Sequence, residues 1–281
     1  MLVVKEVEEL KSIIEKEKSE GKTIGFVPTM GALHEGHLSL VEKAGQETDY
    51  VVVSIFVNPT QFNDKEDLAK YPRDLSSDLQ LLEASDCRLV FAPEVETMYP
   101  EPDMRQFNFG QLEQVMEGRF RPGHFNGVAQ VVSKLFYMVE PDKAFFGQKD
   151  FQQLVIIKSL VRQLNMPVEI VSCPIIRESD GLAKSSRNMR LTPEHRMHAP
   201  HIYRTLKSAA GKTGEMSVKE IKQLVVDEID KDPFLKTEYF DIVDDEELQP
   251  VIAWSQEVNK TGCIAVFCGK IRLIDNIVFQ S

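Results

Sequence analysis

Short apolar runs alternate with helical patterns along the first two thirds of the chain. The apolar runs have strand length and predict β-strands at residues 23–27, 50–57, 87–91, 143–146 and 168–172. Apolar residues at helical spacing separate these runs at Leu38, Val41 and Ala44, near residues 126–139 and over residues 149–164. Near-continuous apolar strands that alternate with helices indicate βαβ units and a parallel sheet covered on both faces. The pattern therefore predicts an α/β fold, a Rossmann-like doubly wound parallel sheet over residues 1–175.

The pattern changes after Pro174. Residues 193–231 are helical and rich in charge, and three further runs predict strands at residues 240–243, 263–267 and 271–274. Gly269 and Lys270 form a plausible tight turn between the last two runs. We predict a smaller C-terminal α+β lid domain over residues 176–281.

The N-terminal twenty residues are charged and predict one amphipathic helix. They lack the apolar core and the small-residue cleavage site of a signal peptide. No apolar run approaches the eighteen residues of a membrane span. Four cysteines form no C-x-x-C pair and lie in apolar runs, which is typical of reduced buried thiols and of a cytoplasmic protein.

The composition favours a small-molecule partner. The 281 residues are 42% apolar and 27% charged, and the formal net charge is −11. Proteins that bind nucleic acid through its phosphates usually have a basic face, so this balance disfavours nucleic acid and membrane partners. The few cations that lie near glycines become informative in such a chain.

The unusual residues follow the predicted strands at their carboxyl ends, where ligands bind in open parallel sheets. Strands one, two, four and five are followed by residues 28–37, 58–62, 147–150 and 181–188. In the common strand order 3-2-1-4-5, strands one and four are neighbours. Their two loops are therefore predicted to share one crevice.

The segment after the first strand is a candidate anion site. It contains neither G-x-G-x-x-G nor G-x-x-x-x-G-K-[ST], but it combines a glycine turn with a helix that begins near residues 35–37. Free amides at a helix N-terminus suit phosphate, and His34 and His37 project from one face of this helix. Two solvent-facing histidines at an ordinary turn explain the segment equally well. Zinc is disfavoured because the histidines have i,i+3 spacing instead of i,i+4.

Two groups of cations follow the fourth and fifth strands. Residues 184–187 lie on a glycine-flanked loop and are a candidate mobile clamp over a triphosphate, or else a surface loop that aids solubility. Lys149 stands near a helix start, where a cation opposes the helix dipole. Such a local conflict is expected at functional positions. The alternative is an exposed lysine that pairs with Asp150.

Together these elements resemble the nucleotidyltransferase superfamily, with HIGH-like and KMSKS-like motifs. The chain is similar in particular to the pantothenate synthetase (pantoate–β-alanine ligase) family from about residue 20 to residue 276. The similarity rests on residues 28–37 (PTMGALHEGH), 54–62 (SIFVNPTQF), 121–126 (RPGHFN), 146–153 (FGQKDFQQ) and 180–188 (DGLAKSSRN).

This resemblance implies a two-step reaction. ATP and (R)-pantoate give pantoyl adenylate and pyrophosphate, and β-alanine then attacks the adenylate to give pantothenate and AMP. A carboxylate is already ionised at neutral pH, so it needs no base before it attacks. Catalysis is therefore expected from positioning and from charge stabilisation at the phosphorus.

The resemblance also implies roles for individual residues. His34, His37 and Lys149 are the implied catalytic groups, with His37 as proton donor and Lys149 at the α-phosphate. Gln61 and Gln153 orient pantoate, because an amide can donate to a carboxylate and accept from a hydroxyl. The implied ATP-binding residues are Met30, Gly31, Ala32, Leu33, His34, Glu35, Gly36, His37, Gly147, Gln148, Lys149, Asp150, Ile176, Lys184, Ser185, Ser186 and Arg187.

Several features are left open by the sequence. Family members often have Met at the position of Lys184, so its ammonium either contacts phosphate or faces solvent. His124 is either part of a gate over the pantoate site or structural. Magnesium is implied as a partner of ATP, with no protein ligand assigned and Asp78 a possible contact. A homodimer is implied by the resemblance alone.

Three alternative functions remain at this point. Another nucleotidyltransferase would need a second cationic pocket for a phosphorylated substrate, where this chain has Gln61 and Gln153. A tRNA-linked synthetase is disfavoured by the acidic balance. A non-catalytic nucleotide-binding protein would bind ATP and release no pyrophosphate.

Overall fold

A computed structural model of the chain describes residues 1–63 and 65–280 and contains, over those residues, two β-sheets. The larger sheet has six strands, all paired in parallel. They are β1 (Leu2–Val4), β2 (Ile24–Thr29), β3 (Tyr50–Ile55), β4 (Cys87–Phe91), β5 (Lys143–Gly147) and β6 (Glu169–Cys173). The spatial order is β1-β4-β3-β2-β5-β6. The predicted doubly wound sheet is confirmed, and its strands follow the common order considered above, in which the first and fourth predicted strands are neighbours.

Strand β1 was not predicted. The interpretation of the first twenty residues as one helix is wrong for Leu2–Val4, which pair in parallel with β4, for example Val3 with Val90. The edge of β4 offers backbone hydrogen-bond partners, and the two valines favour an extended backbone. The helix begins only at Val7.

Helices cover both faces of the larger sheet. The α-helices of the described residues are α1 (Val7–Ser19), α2 (Glu35–Glu47), α3 (Lys65–Lys70), α4 (Leu75–Glu83), α5 (Val95–Met98), α6 (Met116–Phe120), α7 (His124–Val139), α8 (Phe151–Leu164), α9 (Pro193–His198), α10 (His201–Ala210) and α11 (Val218–Asp230). Short 3₁₀ helices occupy Pro59–Gln61, Gly110–Glu113, Gln148–Asp150 and Ser186–Arg190. The helices predicted at residues 126–139 and 149–164 are confirmed as α7 and α8, with shifts of two residues at their starts.

The strands of the larger sheet bury side chains on both faces, as their apolar runs predicted. Phe26 and Val52 belong to one core cluster, whereas their chain neighbours Val27 and Val53 belong to another. Successive side chains of a strand point to opposite faces, so each central strand contributes to two cores. Twelve of the sixteen residues of helix α7 are buried, so this helix packs closely against the sheet.

The second sheet is antiparallel and has its own core. Its strands are β7 (Leu235–Asp244), β8 (Lys260–Cys268) and β9 (Ile271–Phe279), in the order β7-β8-β9. They extend the three predicted strands, and Gly269, with φ of +59°, supplies the predicted turn. Helices α10 and α11 pack on this sheet through Ile202, Leu206, Ile221 and Val225. The predicted C-terminal α+β unit is therefore present, while its exact boundary stays a prediction.

A partly buried ionic contact joins the second sheet to helix α6. Arg272 of β9 donates to both carboxylate oxygens of Glu117 in α6, at 2.8 and 2.6 Å, and to Glu238 of β7. The Tyr239 hydroxyl also donates to Glu117, at 2.8 Å. Burial pushes the pKa of Glu117 upward, but Arg272 and Tyr239 outweigh burial and hold that pKa below its usual value.

The four cysteines are buried and form no disulfide among the described residues. Burial raises the pKa of each thiol, so each stays protonated at neutral pH. This agrees with the predicted reduced thiols. Among the same residues, none of the helices has the length and apolar character that crossing a membrane requires.

Replacing Arg272 tests the contact between the second sheet and α6. Arg272→Met leaves Glu117 buried without its main partner, so we expect the free energy of unfolding to fall by about 2–3 kcal/mol. Urea unfolding measures the change. The matched control is Lys5→Met, which removes the exposed pair with Glu94 and should change stability by less than about 1 kcal/mol. Equal small effects of the two variants would contradict the structural role of Arg272.

Candidate active site

One crevice opens at the carboxyl ends of β2 and β5, which pair directly in the sheet. It contains a cavity of about 220 Å³ that is lined by residues from all four of the segments that follow the predicted strands. The predicted site residues that line it are Met30, His34, Gly36, His37, Gln61, Gly147, Lys149, Asp150, Gln153, Ile176, Lys184, Ser185, Ser186 and Arg187. The expected sharing of one crevice is thus confirmed and extends to the loops after β3 and β6.

The turn after β2 is held by a buried carboxylate. Gly31 and Ala32 both have positive φ, +77° and +50°, and a side chain at Gly31 would meet Asp78 Oδ2 at 2.8 Å. Asp78 accepts the backbone N–H of Ala32 at 3.0 Å and that of Leu33 at 2.7 Å. Burial raises the pKa of Asp78, and the two amides oppose that rise. Asp78, suggested above as a magnesium contact, therefore has both oxygens engaged with the turn.

His34 and His37 use the same ring atom to cap the start of α2. His34 Nδ1 accepts from the Gly36 amide at 3.1 Å, and His37 Nδ1 accepts from the His34 amide at 3.2 Å. Because each Nδ1 is an acceptor, the proton of each neutral ring lies on Nε2. The rings lie side by side, with centroids 4.1 Å apart. Two Nε2–H donors are thereby left for a ligand in the crevice.

Both histidines are uncharged at neutral pH. Burial, the neighbouring His34 and Lys149 lower the pKa of His37 to about 3. Burial together with Lys149 and Lys184 lowers the pKa of His34 to about 4. In this state the rings can donate hydrogen bonds but carry no charge.

Gln61 lies in the 3₁₀ helix after β3 with its amide buried. Its Oε1 accepts from Asn58 Nδ2 at 3.2 Å, and its Nε2 lies 2.9 Å from Met30 Sδ, a weak acceptor. The buried His124 contacts the Gln61 carbonyl through Nδ1 at 2.8 Å, so that nitrogen carries the proton. Of the two interpretations of His124, the structure supports the structural one.

Asn58 supports the same turn and was not singled out from the sequence. Its Nδ2 also donates to the Gly127 carbonyl at 3.1 Å, and its Oδ1 accepts from the Tyr99 hydroxyl at 2.9 Å. The Asn-Pro pair after an apolar strand is a turn signal that marks the position. The partners Tyr99 and Gly127 are distant in sequence, and no local pattern predicts them.

An apolar wall faces the polar groups of the crevice and was also missed. It is formed by Leu40, Phe56, Tyr71, Val128, Val131, Val132 and Leu135. Four of these residues recur at i, i+3, i+4 and i+7 of α7, the pattern of an ordinary core face. Periodicity alone therefore could not separate a cavity wall from packed core.

The segment after β5 carries Lys149 in the 3₁₀ helix and Gln153 in the first turn of α8. Lys149 Nζ lies 4.0 Å from Asp150 Oδ2, and the Lys149 side chain is only 18% exposed, which argues against a freely exposed lysine. Gln153 lines the cavity, whereas its neighbour Gln152 is structural. Gln152 accepts the Glu117 amide and donates to the carbonyls of Leu112 and Val115.

The loop after β6 folds back on itself. The Lys184 amide donates to the Ile176 carbonyl at 2.9 Å, and Gly181, with φ of +96°, supplies the bend. Lys184 Nζ forms ion pairs with Glu35 and, at 3.3 Å, with Glu178. The Lys184 ammonium is therefore paired with carboxylates instead of being exposed to solvent or unoccupied. Its pair with Glu35 links the loop to the start of α2.

The remaining predicted residues shape the crevice without lining its cavity. They are Gly31, Ala32 and Leu33 in the turn, Glu35 beside Lys184, and Gln148, whose carbonyl accepts a hydrogen bond from β9. Over residues 1–63 and 65–280, no three side chains of His, Cys, Asp or Glu are grouped so that they could hold a metal ion.

Comparisons with known proteins agree along the full chain. The model of the pantoate-beta-alanine ligase family matches residues 2–278. A pantothenate synthetase from Phocaeicola vulgatus is 56% identical over 281 residues, which are 100% of both chains. The structure of pantothenate synthetase from Thermus thermophilus is similar with a TM-score of 0.93 at 44% identity, covering 100% of both chains. The pantoate-beta-alanine ligase of Francisella tularensis, complexed with beta-gamma ATP and beta-alanine, has a TM-score of 0.83 at 35% identity, over 100% of this chain and 98% of that chain.

The neutral state of His37 has a consequence for stability. Between pH 6.5, where an unperturbed histidine titrates, and about 3, the unfolded chain binds a proton at His37 that the folded chain does not. Stability therefore falls as the pH falls from 6.5. From pH 7 to pH 5.5 we expect the wild type to lose about 1 kcal/mol more than His37→Gln. Urea unfolding at the two pH values measures the difference, and equal losses would mean that His37 is protonated in the folded protein.

Proposed function

The chain belongs to the pantoate–β-alanine ligase family, and we propose that it joins its substrates in the crevice at the ends of β2 and β5 through a pantoyl adenylate. The observation that carries this proposal is the grouping of two kinds of side chain around one cavity. His34, His37 and Lys149 bring donors and positive charge to the cavity, and Gln61 and Gln153 bring neutral amides to it. Donors and cations suit a nucleotide phosphate, whereas amides suit the hydroxyl and carboxylate groups of pantoate.

The adenylation step needs no base from the protein. A carboxylate oxygen of pantoate attacks the α-phosphorus of ATP, the bond to the bridging oxygen breaks, and pyrophosphate leaves. The barrier comes from bringing an anion to a polyanion and from the charge that gathers on the phosphate oxygens. Lys149 neutralises that charge at the α-phosphate, and the low exposure of its side chain strengthens the interaction.

The two histidines bind phosphate as neutral donors. Their Nε2–H groups are left unused by the caps of α2, and a neutral ring enters the crevice with a smaller desolvation penalty than a cation. A phosphate beside His37 raises its pKa, since an opposite charge favours the protonated ring. We therefore assign to His37 a hydrogen bond to the phosphates. This hydrogen bond becomes stronger as negative charge develops on the phosphate oxygens. His37 donates its proton only when ATP is bound.

The apolar wall fits the remaining part of pantoate. The acid carries two methyl groups between its hydroxyl-bearing carbons, and burying them against Val128, Val131 and Val132 is favourable. Gln61 is held by Asn58 and by the contact between His124 and its carbonyl, so it presents its amide in one orientation. A rigid amide opposite an apolar wall distinguishes pantoate from acids without the hydroxyl groups.

The loop of residues 184–187 closes the phosphate end of the crevice in this proposal. Glu35 and Glu178 hold Lys184 before the nucleotide arrives, and the phosphates of ATP compete with them for its ammonium. Ser185, Ser186 and Arg187 line the same cavity, and we assign them contacts with the β- and γ-phosphates. We accordingly divide the chain into a binding domain, residues 1–175, and a lid domain, residues 176–281.

Magnesium fits this site as a partner of the phosphates. Among the described residues the acidic side chain closest to the turn, Asp78, has both oxygens occupied by backbone amides. The ion would then be held by phosphate oxygens and water, as magnesium commonly is, and would neutralise part of the phosphate charge. The homodimer and the cytoplasmic location stay predictions.

In the second step the neutral amine of β-alanine attacks the acyl carbon of the adenylate. The new carbon–nitrogen bond replaces the bond to AMP, the amine releases one proton to solvent, and pantothenate and AMP leave. Membership of the pantoate–β-alanine ligase family argues against the three alternative functions. Members of this family are enzymes, and their substrate pantoate is the acid that the two amides would orient.

Pantoate-dependent exchange of labelled pyrophosphate into ATP tests the adenylate. In the presence of magnesium and without β-alanine, we expect exchange with pantoate and none without it. Exchange needs only the first step, so it separates adenylate formation from a reaction in which all three substrates must be present. An enzyme that makes pantothenate but shows no such exchange would contradict the pantoyl-adenylate route.

His37→Ala tests the role of the second histidine. We expect kcat to fall about 100-fold or more and the KM for pantoate to change little, because the lost hydrogen bond matters most in the transition state. Steady-state kinetics with varied pantoate measure both parameters. The control is His201→Ala in α10, which removes a ring that contacts the Glu228 carbonyl far along the chain. A raised KM with an unchanged kcat would reduce His37 to a simple binding contact.

A further inference from the structure

Strand β9 contacts both phosphate-binding segments through two adjacent residues, Asp275 and Asn276. We propose that Asn276 is a positioning residue for ATP, which fixes the backbone that carries Lys149, and that Asp275 fixes the neighbouring loop through Arg177. The inference rests on the function proposed above and extends that function by giving the second sheet a direct part in ATP binding.

Asn276 makes two hydrogen bonds to consecutive carbonyls of the 3₁₀ helix after β5. Its Nδ2 donates to the Gln148 carbonyl at 2.8 Å and to the Lys149 carbonyl at 3.1 Å. The residue is only 6% exposed, so water does not readily replace these bonds. A side-chain amide nitrogen carries two hydrogens and can serve both carbonyls at once.

The turn that Asn276 holds is one short 3₁₀ helix between β5 and α8. Its start is fixed by the pairing of Gly147 with Cys173 of β6, but Asp150 makes no side-chain cap at the start of α8. The position of the Lys149 backbone, and with it the reach of the ammonium into the crevice, therefore depends on contacts from outside the turn. Asn276 supplies two of them from 127 and 128 residues away.

Asp275 extends the same arrangement to the loop after β6. Its carboxylate accepts two hydrogen bonds from Arg177, at 2.7 and 2.9 Å, and the Asn276 amide at 2.8 Å. Arg177 also donates to the Gly181 carbonyl at 3.1 Å, and its guanidinium lies 3.6 Å from the centre of the Tyr203 ring. One dipeptide thereby sets the spacing between the Lys149 segment and the loop that leads to Lys184.

This role differs from a general contribution to folding. The second sheet is already tied to helix α6 by the pair of Glu117 with Arg272, and Arg272 lies nearer the start of β9 than Asn276 does. The two carbonyls that Asn276 binds belong to a segment that lines the crevice. Displacing that segment by a fraction of an ångström changes the distance from Lys149 to a phosphate, to which both binding and turnover are sensitive.

A double-mutant cycle on ATP affinity tests the proposal. The dissociation constant for magnesium ATP is measured by calorimetry for the wild type, Asn276→Ala, Lys149→Ala and the double variant. We expect Asn276→Ala to weaken binding about tenfold in the wild type and to have almost no effect when Lys149 is absent. The KM for pantoate should change less than ATP affinity, because Gln61 is held by Asn58 and Gln153 belongs to helix α8 rather than to the turn itself.

The control is Asn259→Ala, an exposed asparagine that pairs with Asp245 and should leave ATP affinity unchanged. If Asn276→Ala does not fold, Asn276→Ser keeps one donor and is expected to show a smaller loss with the same dependence on Lys149. An unchanged ATP affinity, or a loss of the same size with and without Lys149, would overturn the proposal. Failure of pyrophosphate exchange in the wild type would instead refute the proposed function, while the cycle on binding could still be read.

Discussion

The direct pairing of β2 with β5 is the constraint on which the rest of the crevice depends. Parallel strands end at the same edge of a sheet, so the turn that begins at Met30 and the segment that begins at Gly147 meet side by side. Two histidines with free Nε2–H groups and one lysine with low exposure then face one cavity. In the proposed reaction these donors are in place before the nucleotide arrives, and they offset the repulsion between the carboxylate and the polyphosphate.

The sheet was predictable because its signal is local. Buried parallel strands are almost continuously apolar, and the turn residues after them stand out by composition, as in the loops that contain His34, Gln61 and Lys149. Strand β1 was not predicted because three residues next to a charged helix are too few to show a periodic pattern. These residues form a strand only because they pair with the edge of β4. Residue roles inside the crevice followed from family resemblance, not from spacing.

The missed parts of the site share a physical cause, since each depends on partners that are distant in sequence. Asn58 acts through Tyr99 and Gly127, and the apolar wall of α7 has the same period as any buried helix face. The neighbouring glutamines 152 and 153 illustrate the limit. Nothing in the dipeptide indicates that Gln152 binds backbone groups near α6 while Gln153 faces the cavity.

The second sheet explains how an acidic chain keeps its cations in place. With a net charge of −11, most cations have carboxylates nearby, and the structure uses such pairs as struts: Arg272 with Glu117, Arg177 with Asp275, and Lys184 with Glu35 and Glu178. The first two are bidentate and buried, so they fix geometry. The third lines the crevice, and in the proposed function it exchanges its carboxylates for phosphate. On this proposal, rigid pairs behind the site and one exchangeable pair in front of it would let a protein with a net negative charge bind ATP despite the repulsion between them.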